Sequence, residues 1–285
     1  MEVREAYWLT EVREMGTWEI EKQKLLFPAR DELPDVLKND RHYEVDINPY
    51  DVDGKHSCII QYKNFATENK ESGSRGIANW FAGILASCPL AEYWLVEALN
   101  LLPSISPEII NKALGAPTHK AYTDKSYTIL NLGPVDNAKA MAIELSYPVD
   151  ENLVGAIDEL LDIFKDEAKN HDWYMAGPFA LRFIAAADAY LAPQQGCLTC
   201  MVELDMLVGI TSGNDLLLAI IQRVQASNPK VRVHWGLDLD TVNNESVTRL
   251  YPEFPKWHEV YLELNKNGMF NSPLTERLGI SILKE

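Results

Sequence analysis

The sequence predicts an α+β fold, a largely antiparallel mixed sheet with helices packed mainly on one face. Three observations predict it. Apolar and polar residues alternate across HYEVDINPYDVDGKHSCIIQYKN (42–64), where a Val-Asp-Gly turn joins two β-rich runs as a hairpin. Further β-rich runs come in pairs separated by amphipathic helical segments, the order expected of an antiparallel sheet with helices on one side. No strand leads into GxGxxG, and no GxxxxGK[ST] loop occurs, so the phosphate-cradling turns of doubly wound nucleotide folds are absent.

Along the chain, residues 1–40 read as a polar lead-in, 41–275 as one cap-like domain and 276–285 as a tail. After the hairpin, TENKESGSRG (67–76) reads as a loop rich in charge, Ser and Gly. Gly76 to Leu102 follows as apolar helices. Asn79, Pro89, Glu92 and Glu97 interrupt them, which argues against a bilayer span and for a buried or interface position. SPEII starts a further helix at Ser106 with Pro in its first turn. The stretch 67–120 thus forms a helical insertion and a candidate interface. SYTILNLG (126–133) and AKAMAIELSYPV (138–149) read as strands, and Asp150 as the cap of a helix with Leu153, Val154, Ile157, Leu160, Leu161 and Phe164 on one face. PFALRFIAAA and CLTCMVELDMLV read as strands, SGNDLLLAIIQRVQAS as a helix and VRVHW as a strand. A last helix around PKWHEVYLELN stops at Gly268.

At 285 residues, 47% hydrophobic and 24% charged, the chain is an ordinary globular protein. Its net charge of −16 would repel a phosphate backbone, and no basic stripe offsets it, so nucleic acid and anionic membrane are not expected partners. The charged N-terminus lacks a signal-peptide core, and the cytoplasm is the expected location. Cys58, Cys88, Cys197 and Cys200 lack the paired spacing of a metal knuckle and read as structural thiols; no metal is expected.

No nucleophile elbow, HExxH or EF-hand loop is present, so any chemistry must come from scattered strand residues. Arg182 in FALRF and His234 in VRVHW each set a strong donor in an otherwise apolar strand, and each needs a partner or a ligand. A sheet-surface or ion-paired arginine and a histidine bonded to a backbone carbonyl are the structural alternatives.

Three stretches change the weighting: GPFALRFIAAADAYLAPQQG (177–196), VRVHWG (231–236) and YPEFPKWHEVYLELNKNGMFNSP (251–273). In this order they resemble the C-terminal region of flavin-linked oxidases of the vanillyl-alcohol oxidase superfamily, in the sugar-lactone, alditol and cholesterol oxidase branch. DRHYEVDINPYD resembles the opening of the same substrate domain. The resemblance implies a sheet roofing a flavin, with Arg182 and His234 as catalytic residues and Tyr43, Tyr50, Trp235 and Asn271 in the substrate pocket. It also implies FAD. No cofactor-binding residue is expected within this chain alone, because the family's FAD-binding domain precedes the segment resembling DRHYEV, where only about forty residues stand here. Two positions depart from the pattern. Ala180 stands where alditol and sterol oxidases carry a carboxylate, and Met269 where several sugar oxidases carry a lysine; both changes shift the expectation toward an apolar substrate.

The reading is therefore the substrate-binding portion of an FAD-linked oxidoreductase acting on an alcohol or related, rather apolar small molecule, with FAD on another polypeptide. A flavin-free cap domain binding a small apolar ligand is the alternative, as is a flavin-independent cyclase or isomerase. The expected partner is an FAD-binding chain, or a second copy through the 76–102 helices.

Overall fold

The computed structural model describes residues 5–30, 32–73, 89–115, 118–131, 139–237 and 241–281. Residues 74–76 of the expected 67–76 loop, the first part of the 76–102 apolar region and Cys88 lie outside these residues. Among the described residues the strands are β1 Trp8–Thr17, β2 Tyr43–Ile47, β3 Ser57–Phe65, β4 His119–Lys125, β5 Ala140–Pro148, β6 Phe179–Ile184, β7 Thr199–Leu207 and β8 Arg232–Val233. They form one sheet in the order β4-β1-β3-β2-β6-β7-β5-β8, with every ladder antiparallel. The α+β class is thus observed. The first four strands of the chain make one half of the sheet and the last four the other. Among the described strands, the halves meet in one ladder, β2 with β6, running from Glu44↔Arg182 to Ile47↔Phe179.

Period-two alternation sorts each strand into two faces. Val45, Ile47, Phe179, Leu181, Val202, Leu204 and Leu145 are fully buried on one of them. Helices α1 (Trp18–Glu21) and α2 (Asp35–Asn39) are short, and α3 (Pro89–Leu101) precedes α4 (Ser106–Gly115), which packs on β3. A one-turn α5 (Ser126–Ile129) comes before α6 (Leu153–His171), which packs on α7 (Gly213–Ser227), itself seated on β5 and β7. In α6 the 3.6-residue spacing of Leu153, Ile157, Leu160, Leu161 and Phe164 buries one stripe, as the sequence predicts. The helix stops at Asp172, which takes a left-handed conformation and returns its N–H to Ala168. Helices α8 (Asn244–Leu250), α9 (Phe254–Leu264) and α10 (Pro273–Arg277) close the chain.

Several boundaries differ from expectation. Residues 8–17, read as lead-in, form β1 between β3 and β4, and its Glu11 is fully buried. The expected tail contributes buried Leu278 and Ile280, so the fold extends beyond 275. The 67–120 stretch is no mere insertion, since Val96, Leu99, Ile110 and Leu114 join the main core. Ser126 to Ile129 turn as a helix rather than extend, because their apolar Ile129 packs back on Leu9 and Tyr122. Asp150 accepts a hydrogen bond from Asn152 N at 2.8 Å, forming a turn ahead of the helix rather than capping it. Helix α9 ends at Leu264, and Gly268 supplies the left-handed turn that follows.

Phe164 stacks on Phe179 with centroids 5.6 Å apart and meets Tyr50 edge-on, joining helix to sheet in the core. Replacing Phe164 by Ala should cost about 3–5 kcal/mol. Urea unfolding checks this as a lowered midpoint at unchanged slope.

Candidate functional site

The face opposite the core carries charge. On β2 it presents Glu44 and Asp46, on β6 Ala180 and Arg182, on β7 Met201, Glu203 and Asp205, and on β5 Glu144 and Ser146. The register sets these in rows. Asp46, Ala180, Glu203 and Glu144 stand opposite one another across four strands, and Glu44 stands opposite Arg182. Directly opposed side chains lie ~4.5–5.5 Å apart at Cβ, so the Ala180 methyl is flanked by two carboxylates.

Arg182 is the cation of this cluster. Its Nη2 donates to Glu144 Oε1 at 2.9 Å and, more closely, to Glu203. Burial works against its charge, and Glu203, Glu144 and Glu44 outweigh it, so its pKa is raised. One guanidinium cannot neutralise all the carboxylates around it. Burial, assisted by Asp205, Glu144 and Glu44, lifts Glu203 to about 7 despite the pull of Arg182. Asp205 is raised by burial and by Glu144. Asp46 is raised by burial and by Glu44, while the Gln61 amide, donating at 2.8 Å, holds it down. On the same face Lys63 pairs with Glu44 at 3.3 Å and Arg13 with Glu11 at 2.9 Å.

His234 follows β8, and its backbone N–H donates to Glu144 O at 3.0 Å. Arg182 and His234 are therefore both tied to Glu144, one through the side chain and one through the backbone. Nδ1 of His234 accepts from Gly236 N at 3.1 Å, which assigns the ring proton to Nε2. A Cβ at Gly236 would stand 3.0 Å from Cε1 of the imidazole, a tight contact that the ring would have to relieve by a small shift.

The structure does not bring the other sequence-predicted residues to this cluster. Tyr43 shares the core face with Val45, and its hydroxyl donates to Glu21 Oε1 at 2.7 Å. Tyr50 is buried, and its hydroxyl accepts from Met175 N at 2.6 Å. Trp235 donates to Leu191 O at 2.6 Å and packs on Tyr251, pinning the chain after β8. Asn271 accepts from Asn265 Nδ2 at 2.9 Å, in the turn after α9. Conversely, Glu144, Glu203, Asp46 and Asp205 escaped the sequence reading. Their signal was present: each is an acid at an alternate position of an apolar strand, in IELS, VELD and YEVDI. Cys58 and Cys200 are free and buried, with thiol pKa values pushed up by burial, as structural thiols should be. Among the described residues no His, Cys, Asp and Glu cluster could hold a metal ion.

The fold, an antiparallel sheet with helices packed on one face, is shared with cholesterol oxidases of known structure. The chain belongs to the D-arabinono-1,4-lactone oxidase family, whose model matches residues 5–278. Among solved structures it is similar to a solvent-stable cholesterol oxidase, with TM-score 0.59 and 12% identity over 82% of this chain and 49% of that one. It is also similar to cholesterol oxidase from B. sterolicum, with TM-score 0.64 and 11% identity over 96% of this chain and 60% of that one. A variant of the Brevibacterium sterolicum enzyme gives TM-score 0.63 at 11% identity, over 96% and 60%. The chain thus spans about half to three-fifths of the length of these structures, and at such identities the likeness shows the fold alone. No curated protein matches the sequence. Among the described residues no helix is long and apolar enough to cross a membrane.

The raised Glu203 pKa gives stability a pH dependence. The folded chain keeps this proton up to about 7, whereas the unfolded chain loses it near the ordinary value of 4.5. Between these values the unfolded state binds fewer protons, so Glu203 lowers stability as pH rises through this window. In Glu203→Gln that contribution vanishes; urea midpoints taken at about pH 5 and about pH 7.5 should fall less in the variant than in the parent.

Proposed function

We propose that the chain is the substrate-binding portion of an FAD-linked oxidoreductase, that the Arg182–Glu144–Glu203 face covers the reacting centre, and that FAD is held by a separate domain or chain. The observation that carries this reading is the arginine set among carboxylates on the charged sheet face of a chain of the D-arabinono-1,4-lactone oxidase family. Loss of a carboxylate at position 180 pointed to an apolar substrate. Asp46 and Glu203 supply carboxylates from both neighbouring strands in the same row, and this favours a hydroxyl-bearing substrate such as a sugar alcohol or lactone.

The residues present fit one side of a flavin and not the rest of it. A guanidinium on this face suits an electron-rich ring, but no Gly-rich loop is present to cradle a pyrophosphate. When bound, FAD would accept the two electrons removed from the substrate carbon. Arg182 stabilises negative charge developing above the sheet. Glu203, poised near neutrality, is matched to take the proton of a substrate hydroxyl at its carboxylate oxygen. Glu144 holds Arg182 and His234 in place, and the His234 Nε2–H is directed by its Gly236 contact to donate to the same substrate. Helix α3 exposes Leu90, Tyr93, Trp94 and Leu101, an apolar surface suited to the flavin-bearing partner.

Co-purification with a flavin-bearing partner chain tests the reading. The complex should be yellow, and its flavin absorbance should bleach when a sugar alcohol or aldonolactone is added without oxygen. Arg182→Lys should slow this bleaching by ~10²-fold, and Glu203→Gln should remove a pH-rate transition near 7. A colourless chain that recruits no flavoprotein, yet binds a small molecule, would instead establish the flavin-free cap.

A further inference from the structure

Beside the β5–β8 edge of the sheet lies a cleft of about 360 Å³ between the 193–199 loop, Pro229 and α8. Lys230, Arg232 and Arg249 line it, and none of its lining residues is Asp or Glu. The chain has 42 acidic and 26 basic residues, so a cleft with three cations and no acid runs against its composition. We propose that this cleft is a binding site for an oxyanion, the phosphate or carboxylate group of a small ligand, held by Lys230, Arg232 and Arg249.

The three cations differ in how they are held. Arg232 is fixed by backbone carbonyls: Nε donates to Leu250 O at 3.0 Å, and Nη1 to Pro193 O at 3.1 Å and Gln195 O at 2.9 Å. Its guanidinium also lies 4.8 Å from the centre of the Tyr251 ring. Carbonyl dipoles and a ring face orient a guanidinium without neutralising it, and among the described residues Nη2 has no hydrogen-bond partner. Arg249 is anchored by Nη1 on Pro229 O, and among the described residues it too forms no ion pair. Among the same residues the Lys230 amine has neither a hydrogen-bond nor an ion-pair partner. The hydroxyls in the cleft are already engaged: Ser146 Oγ donates to Met201 Sδ at 3.1 Å and Thr199 Oγ1 to Cys197 O at 3.1 Å. The available donors are therefore cationic, and one of them is pre-oriented, the condition under which an oxyanion binds with the least loss of side-chain freedom.

A neighbouring cleft shows that the charge is local. It shares Pro148, Pro229 and Lys230 but carries Asp150, Glu151 and Glu159, and so repels the same anion. Lys230 marks the boundary between them. The inference stands apart from the role given to Arg182, since none of the three cations belongs to that cluster.

Isothermal titration of the full chain with inorganic phosphate, and separately with acetate, tests it at low ionic strength, against chloride of matched ionic strength. One saturable site is expected with phosphate or acetate and none with chloride. The anion that binds more tightly identifies the ligand group. The double variant K230Q/R249Q should weaken binding at least tenfold while keeping the parent's melting temperature in the absence of anion, because both side chains are exposed. Should the double variant unfold, Lys230→Gln alone should still weaken binding severalfold. Absence of a saturable site, or equal affinity in a folded variant, overturns the proposal.

Discussion

Side chains of a strand can face only two ways, and in this sheet that constraint fixes the charged site as firmly as the core. Val45, Ile47, Phe179 and Leu181 must lie together beneath the helices, and their alternation leaves Glu44, Asp46, Ala180 and Arg182 together on the other side. A slip by one residue at the β2–β6 ladder would turn either the two carboxylates of β2 or the guanidinium of β6 into the core. The apolar face thus specifies where the arginine stands, with no contribution needed from the ion pairs themselves.

Those ion pairs have a different role. Partly buried carboxylates outnumber the arginine between them, and desolvation penalises every charge that is not directly paired. The cluster settles by raising the proton affinity of its buried acids, most clearly Glu203 and Asp46. The raised proton affinity of Glu203 thus comes from burial and from the acids around it, Asp205, Glu144 and Glu44, against the pull of one guanidinium. The anion cleft at the other strand edge obeys the opposite balance, cations held by neutral carbonyls.

Much of this was legible in the sequence, and the misses have physical causes. Clean alternation revealed β2, β3 and β5, and helical spacing revealed α6. Strand β1 escaped because the face holding Leu9 also buries Glu11, so polarity stopped reporting burial there. Ser126 to Ile129 looked extended by composition, but a tertiary contact with Leu9 and Tyr122 overrode that preference. Tyr43 was placed in a pocket although its parity with Val45 and Ile47 puts it in the core, a signal that was available. The same parity rule would have found Glu203 from Arg182's neighbours only once the pairing of β6 with β7 was known, and pairing is what a single sequence does not state. His234 and Trp235 show the limit of motif reading: adjacent in sequence, one is tied to the charged cluster and the other anchors a loop.

The division of the sheet into a half built from residues 8–125 and a half built from residues 140–233 bears on cooperativity. Each half can close its own ladders, while the ladder between them joins residues well over a hundred positions apart and forms against a large loop-closure entropy. Glu44 and Asp46 belong to one half, Arg182, Glu144 and Glu203 to the other. Parting the halves along this line would take Glu44 and Asp46 away from their rows with Arg182, Ala180 and Glu203, while the pairs of Arg182 with Glu144 and Glu203 and most backbone hydrogen bonds stay intact. Sub-global opening therefore has a local reporter: amide exchange in β2 and β6 follows the contact between the halves more directly than global unfolding does.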